Sequence, residues 1–220
     1  MNHIPNLICY GRGDKVPDGY RIINTTSHSK EQWSKRLSPF HLGPITVNPT
    51  GECDLQANKF ENAWQYLKVY ADHYDADTNT IKQSWTDWSN EGFRNPTAVR
   101  FPRGKGAKPL FSLWKGEKMG YIEARTRIYA PLYAECVLKH AANEFAILKR
   151  LYDSGEKLAL FDFDGYAHYN AGLSLSDVLY NEKKKMGHSF VLMGMLTENL
   201  FWKQDFDKNK IKSISVKRIR

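Results

Sequence analysis

The sequence is poor in the residues that build disulfide and metal frameworks. Its three cysteines, Cys9, Cys53 and Cys136, are far apart and form no C-x-x-C pair. The seven histidines show no metal-ligand spacing. No run approaches the roughly 18 apolar residues that span a bilayer. We therefore expect a cytoplasmic protein with reduced thiols, no metal, no cofactor and no membrane association.

Several catalytic signatures are also missing. The chain has no G-x-x-x-x-G-K-[ST] phosphate loop and no Ser-His-Asp arrangement. The aspartates of the DFDG segment, Asp162 and Asp164, suggest a magnesium-dependent phosphatase. That class needs a doubly wound alternation of strands and helices, which the pattern lacks. These absences exclude the commonest nucleotide-binding and hydrolase scaffolds.

Negative charge is scarce in two blocks of the chain. The net charge is +8, and residues 94–118 and 203–220 each contain seven basic residues, with one and two acids respectively. The remainder is slightly acidic. Such blocks favour an anionic partner. That partner is expected to be a nucleic acid, most simply DNA, or a phosphorylated nucleotide. Solubility alone is the other explanation of the basic tail.

The length and pattern predict one compact α+β domain that is mainly helical and contains a small sheet. We place the domain at residues 1–202 and a basic tail at 203–220. Short apolar runs at Leu7–Tyr10 and Tyr20–Ile23 predict two strands, most simply arranged as a hairpin. Leu158–Phe163 predicts a third, on which Asp162 and Asp164 would share one face. The pattern does not indicate an oligomeric state.

Helical spacing recurs in three places. An amphipathic helix begins at Asn58, and Glu61, Gln65 and Lys68 form one polar stripe along it. Asn58 fits as its N-cap with Glu61 as the capping partner, a role compatible with facing a cleft. A second pattern runs from 122 to 152, where Pro131 either kinks the helix or opens a new one. A third covers 186–201.

A glycine-rich basic loop precedes the second helical pattern. Gly104 and Gly106 allow a close approach of the backbone to a ligand. Cations surround them, so the loop is either a phosphate cradle or a solvated surface loop. Its basic residues are Arg100, Arg103, Lys105 and Lys108.

The order of these segments resembles the NADAR family of N-glycosidases. FENAWQYLKVY is similar to the family's E-H-x-x-Q-x-x-K helix, and SPFHLGP to its early Pro-Phe segment. Trp114, the following Arg-containing helix and Asp153-Ser154-Gly155 are similar to its tryptophan, long helix and turn. LALFDFDGYAHYN stands where the family has an apolar strand ending in aspartate, and NEKKKMGHSFVLMGML resembles its closing helix.

The resemblance implies hydrolysis of an N-glycosidic bond, such as that of ADP-ribosyl-guanine in DNA. Such a reaction passes through an oxocarbenium-like state that needs a carboxylate and a base for water. Glu61 and Asp164 are the expected carboxylates, with Asp162 as the substitute. Lys68 either assists the leaving group or only pairs with the face of Glu61. The residues expected to bind the base and the phosphates lie on the polar stripe, in the basic loop, at the tryptophan and on the following helix. They are Gln65, Arg100, Arg103, Lys105, Lys108, Trp114 and Arg125.

Two other functions fit the same sequence. A DNA glycosylase that excises a modified, flipped base would use the same positive charge. A non-catalytic nucleic-acid-binding protein would need only the basic segments and nearby aromatics, and its carboxylates would be dispensable. Trp114 fits a buried core position as well as a stacking position.

Overall fold

Short strands and helices alternate along the chain. The computed structural model describes residues 5–211. Its strands are β1 (Leu7–Tyr10), β2 (Arg21–Asn24), β3 (Ile45–Val47), β4 (Leu55–Ala57), β5 (Lys68–Val69), β6 (Tyr74–Asp75), β7 (Thr80–Ile81), β8 (Phe111–Trp114), β9 (Glu117–Met119) and β10 (Leu158–Phe161). Its α-helices are α1 (Gln32–Lys35), α2 (Phe60–Tyr66), α3 (Gln83–Arg94), α4 (Tyr121–Ala124), α5 (Ala130–His140), α6 (Ala142–Asp153), α7 (Leu175–Leu179) and α8 (His188–Leu196). The predicted α+β class is confirmed.

Contacts between Cα atoms divide the chain into two compact units. The first unit comprises residues 1–38 and 125–220, and the second comprises residues 39–124. Within residues 5–211, no helix combines the length and hydropathy needed to cross a membrane. Half of the predicted basic tail, residues 212–220, lies outside the described residues.

The first unit is built on a parallel sheet in the order β1-β10-β2. Leu158, Ala159 and Leu160 of the central strand β10 are buried, because helices cover a sheet of this kind. Every residue of α8 is buried, and α8 packs against α5 and β1. The predicted strands are present, but the hairpin was wrong, because β10 inserts between β1 and β2 and all three run in one direction.

The second unit contains antiparallel pairs and two packed helices. Strands β5, β8 and β9 form one sheet, and β3–β4 and β6–β7 form two more. Val69, Trp85 and Leu113 make a buried cluster, and the Trp85 indole donates to the carbonyl of Lys68 at 3.0 Å. Helix α3 lies directly on α2 because Gly92 leaves room for the Tyr66 ring.

Helix α2 is shorter than its pattern predicts. It begins at Phe60 with Lys59 in the N-cap position, so the predicted cap at Asn58 was wrong. The Asn58 side chain instead donates to the carbonyl of Arg94 at 2.5 Å, and its N–H donates to Phe93 at 2.8 Å. The helix ends at Tyr66 because the next residues pair with β8 as strand β5.

The second helical pattern is interrupted, as Pro131 predicted. Helix α5 begins at Ala130 with the proline in its first turn, and a π-helical stretch at Arg125–Tyr129 precedes it. Helix α6 ends at Asp153, where Gly155 adopts a positive φ of 84°, which confirms the predicted stop. The third pattern yields α8, which covers only part of 186–201.

Candidate functional site

The polar stripe predicted on α2 is a hydrogen-bonded row. The Gln65 side-chain amide donates to Glu61 Oε1 at 2.7 Å, and Lys68 Nζ donates to Gln65 Oε1 at 2.6 Å. Glu61 and Gln65 lie one helical turn apart, which places their side chains on one face. Lys68 reaches back to that face from the first residue of β5. The row therefore joins a carboxylate, a neutral amide and an ammonium group in sequence.

The row runs from the protein interior towards solvent. Glu61 and Gln65 are 7% and 8% exposed, and Lys68 is half-buried. A buried carboxylate is costly unless it is hydrogen-bonded, and the Gln65 amide supplies one such bond. The neutral amide orients the carboxylate and brings no charge of its own.

Two aromatic side chains that sequence analysis did not single out lie beside the row. Lys68 Nζ lies 4.9 Å from the centre of the Trp64 ring, and that ring is 6.5 Å from the ring of Tyr121. Trp64 is half-buried and Tyr121 is 45% exposed. The helical spacing of Trp64 from Glu61 and Lys68 is visible in the sequence. The position of Tyr121, 57 residues further on than Trp64, is not.

Asn62 ties α2 to the chain that enters the basic loop. Its side-chain amide donates to the carbonyls of Asn95 at 3.0 Å and Thr97 at 2.9 Å. Its Oδ1 accepts from the N–H of Val99 at 2.8 Å. The side chain is fully buried, so these bonds satisfy an amide that has no access to water. The loop 100–108 therefore starts from a fixed point on the same helix as Glu61.

The other end of the loop is held by the sheet. The N–H of Leu110 donates to the carbonyl of Val69 at 2.8 Å, and β8 then pairs with β5. Gly104 and Gly106 adopt φ values of 86° and 93°, a conformation that side chains oppose. The N–H of Gly104 is used in a turn to Phe101. We therefore expect this loop to bind a ligand through its cationic side chains more than through its backbone amides.

The cations of the loop differ in their surroundings. Lys105 and Lys108 are exposed, and the Arg100 guanidinium lies 5.2 Å from the centre of the Phe101 ring. Arg103 forms an ion pair with Asp72 and lies 5.8 Å from the centre of the Tyr70 ring. Arg103 is thus partly neutralised, while the two lysines extend into solvent.

Trp114 is half-buried in β8, where it pairs with Glu117 of β9. Both of its predicted roles, stacking and core packing, remain predictions.

Asp162 belongs to the first unit and is 4% exposed. One carboxylate oxygen lies 2.8 Å from Nδ1 of His188 and accepts the N–H of Ser189 at 3.0 Å. The other accepts the N–H of Asp164 at 3.0 Å. The carboxylate therefore caps the N-terminus of α8 from a neighbouring strand end, where negative charge is favoured.

His188 is bound through both ring nitrogens. Its Nε2 lies 2.9 Å from the carbonyl of Thr25, opposite the contact of Nδ1 with Asp162. Both partners are acceptors, so the doubly protonated ring satisfies them. Burial raises the pKa of Asp162, but the charge and hydrogen bond of His188 and two backbone N–H groups bring it down to about 2. The result is a compensated buried ion pair.

The prediction that Asp162 and Asp164 share a strand face was wrong. Strand β10 ends at Phe161, and the chain turns through the hydrogen bond from the Asp164 N–H to Asp162. Asp164 is half-buried, in contrast to Asp162.

Arg125 is also buried in the first unit, at 1% exposure. Its guanidinium donates to the carbonyls of Leu179 at 3.4 Å, Asn181 at 2.9 Å and Lys184 at 2.5 Å. It therefore holds the segment that connects α7 and α8.

The structure thus brings together Glu61, Gln65 and Lys68 in the second unit. Glu61 and Gln65 lie on the helix that anchors the loop 100–108, and Lys68 lies in β5. Asp162, Asp164 and Arg125 belong to the first unit. In residues 5–211, no group of three His, Cys, Asp or Glu side chains is arranged to hold a metal ion.

Fold and site define an α+β protein with a hydrogen-bonded acid–amide–lysine row beside a cationic loop. The chain belongs to a family of unknown function, DUF6939, whose model matches residues 13–176. That range includes the row, the loop and Asp162, but not His188. No curated protein and no solved structure matches the chain.

Proposed function

We propose that this protein is an N-glycoside hydrolase that cleaves the N-glycosidic bond of a nucleotide or of a modified nucleic acid, such as ADP-ribosyl-guanine in DNA. The observation that carries the proposal is the hydrogen-bonded row Glu61–Gln65–Lys68, whose first two members lie on the helix that fixes the start of the cationic loop. The similarity of motif order to NADAR N-glycosidases supports the same reaction class.

Glu61 supplies the charge that this reaction needs. As the bond from the anomeric carbon to the base nitrogen breaks, its electron pair stays with the base and positive charge develops on the sugar. A carboxylate beside that carbon stabilises the charge and accepts a proton from the water that adds to it. The Gln65 amide holds the carboxylate in one orientation.

Lys68 assists the leaving group. Its ammonium group donates one hydrogen bond to Gln65 and lies beside the Trp64 ring. An ammonium has three N–H donors, so it can donate to a base nitrogen as negative charge forms there. Proton transfer to the base then completes the hydrolysis, with the hydroxyl on the sugar and the hydrogen on the base.

The surroundings of the row suit a planar base and its phosphates. Trp64 and Tyr121 present aromatic surface beside Lys68, and base–aromatic stacking tolerates many bases. Arg100, Lys105 and Lys108 then hold phosphate groups through charge-assisted hydrogen bonds. Arg103 contributes less because Asp72 already binds it.

The role proposed for Glu61 does not extend to Asp162. The carboxylate of Asp162 already binds His188, Ser189 and Asp164, and these contacts build the fold. The catalytic contribution of Asp164 stays a prediction.

Release of base and sugar product tests the proposal. The substrates are a single-stranded oligonucleotide that carries one ADP-ribosylated guanine, the corresponding free nucleotide conjugate, and an oligonucleotide with a damaged base, each followed by mass spectrometry. We expect Glu61→Gln to lower kcat/KM at least about 100-fold, the contribution of one acid–base group. Glu91→Gln, the same change at an exposed site on α3, is the control and retains activity.

Each other outcome contradicts one part of the proposal: the catalytic residue, the ADP-ribosyl substrate or the hydrolysis itself. Full activity of Glu61→Gln removes Glu61 from the mechanism. Excision of the damaged base alone identifies a DNA glycosylase. Binding of the oligonucleotide with no turnover of any substrate identifies a non-catalytic nucleic-acid-binding protein.

A further inference from the structure

The carboxyl edge of the parallel sheet in the first unit presents a second set of ligand-binding side chains. Strand β10 lies between β1 and β2, so the segments that follow all three strands meet at one edge. Ligands of open parallel sheets bind outside the carboxyl ends of the strands, where neighbouring loops diverge. These segments are residues 11–14, 25–29 and 162–165.

Close backbone packing fixes two of these segments. A Cβ on Gly11 would lie 2.1 Å from the carbonyl oxygen of Gly165, and one on Gly165 would lie 2.6 Å from the carbonyl oxygen of Tyr10. Only glycine at both positions allows this approach. The third segment is joined to β10 through the Thr25 hydroxyl, which donates to the Phe161 carbonyl at 3.0 Å. Side chains on these segments therefore have defined positions.

Phe163 stands between two nitrogen-bearing side chains at this edge. The Arg12 guanidinium lies 4.7 Å from the centre of the Phe163 ring, and the His28 ring contacts it edge-on at 5.3 Å between centres. Arg12 and His28 are exposed, and Phe163 is half-buried. A guanidinium held over an aromatic ring keeps its N–H donors for an anion.

Charge at this edge leaves Arg12 available. Within residues 5–211, no carboxylate lies within ion-pair distance of Arg12. The carboxylate of Asp14 accepts the N–H groups of Gly11 at 2.9 Å and Ala167 at 3.1 Å. Asp162 is occupied by His188. Two of the carboxylates in these segments, Asp14 and Asp162, are thus already bound to donors.

We propose that Arg12, His28 and Phe163 form a binding site for the phosphate group of a small ligand. Arg12 binds the phosphate oxygens through two N–H groups, and the His28 ring supplies a further donor. Phe163 fixes the guanidinium and offers the ring surface not covered by Arg12 to the organic part of the ligand. This site lies within the first unit and does not depend on the function proposed for Glu61.

Titration of the full-length, 15N-labelled protein with inorganic phosphate tests the site. We expect amide signals of residues 11–14, 25–29 and 162–165 to shift together, with one dissociation constant. Arg12→Ala weakens phosphate binding at least about tenfold, because both hydrogen bonds from the guanidinium to a charged group are lost. Phe163→Leu keeps an apolar side chain but releases the guanidinium, and it weakens binding by a smaller factor.

The matched control is Arg21→Ala. Arg21 is exposed at the amino end of β2, where it pairs with Glu156. We expect it to leave phosphate binding unchanged. Equal weakening by Arg12→Ala and Arg21→Ala, or phosphate-induced shifts that avoid the three segments, would overturn the assignment. Glu61→Gln keeps the phosphate response, so failure here and failure of the hydrolase proposal are distinguishable.

Discussion

Glu61 and Asp162 are both nearly buried carboxylates, but their partners differ in kind. The Asp162 carboxylate binds the His188 ring and accepts from the backbone N–H groups of Ser189 and Asp164, so its charge is compensated at the N-terminus of α8. The other ring nitrogen of His188 contacts the carbonyl of Thr25. Glu61 accepts from a neutral amide, and the ammonium group stands one residue further along the row. The first arrangement uses the charge to build the fold, and in the proposed function the second positions a carboxylate for chemistry.

The packing around Asp162 also indicates a structural role for this carboxylate. A Cβ on Gly187 would lie 2.3 Å from Oδ2 of Asp162, so this carboxylate sits against the backbone that starts α8. Asp162 therefore belongs to the core of the first unit. The comparison predicts that changes near Asp162 affect stability, whereas changes at Glu61 affect turnover.

The largest effect is expected for Asp162→Asn. Removing one partner of a buried ion pair leaves the other charge without compensation, which costs about 3–5 kcal/mol. The free energy of unfolding, measured by urea denaturation at pH 7, should fall by that amount. Asp164→Asn, at the half-buried neighbour, should cost much less. Equal losses in the two variants would mean that Asp162 is not the structural carboxylate.

Gly187→Ala should destabilise the protein through the same contact. The new methyl group forces either the Asp162 carboxylate or the start of α8 to move, and overpacking of this kind costs about 1–3 kcal/mol. Gly120→Ala is the control, because a Cβ there meets no atom within 4 Å. The midpoint of thermal unfolding compares the two variants, and an unchanged midpoint for Gly187→Ala contradicts the packing described.

Acid should remove the contribution of Asp162. Its pKa is about 2 in the folded protein and about 3.8 without these contacts. A lowered pKa stabilises the folded state at pH values above the unfolded pKa, and the effect is lost as pH falls from about 4 to 2. The size is about 2 kcal/mol. The difference in unfolding free energy between wild type and Asp162→Asn should shrink by this amount between pH 5 and pH 2, and a constant difference would exclude it.

The local features of the fold and of the candidate site could be predicted from the sequence. The spacing of Glu61, Gln65 and Lys68 places them on one face, and the apolar run after Lys157 indicates a strand. Helix bounds failed where tertiary contacts compete, as at Asn58, whose side chain binds the end of α3 instead of capping α2. Here a long-range hydrogen bond outweighed a local one.

The long-range pairings could not be predicted. Parallel strands β1, β10 and β2 are far apart in sequence, and nothing in their composition specifies the partner of each. The contact of Asp162 with His188 spans 26 residues and depends on where α8 begins. For that reason the sequence suggested a catalytic role for an aspartate whose surroundings are those of a structural residue.

The most direct test of this distinction measures turnover and stability together for Glu61→Gln. We expect kcat/KM on the ADP-ribosyl-guanine oligonucleotide to fall at least about 100-fold. The free energy of unfolding should change by less than about 1 kcal/mol, because the amide keeps the shape of the side chain and one oxygen that accepts from Gln65. Unchanged turnover, or a loss of stability of about 3–5 kcal/mol like that of a broken buried ion pair, would show that Glu61 is a structural carboxylate as well.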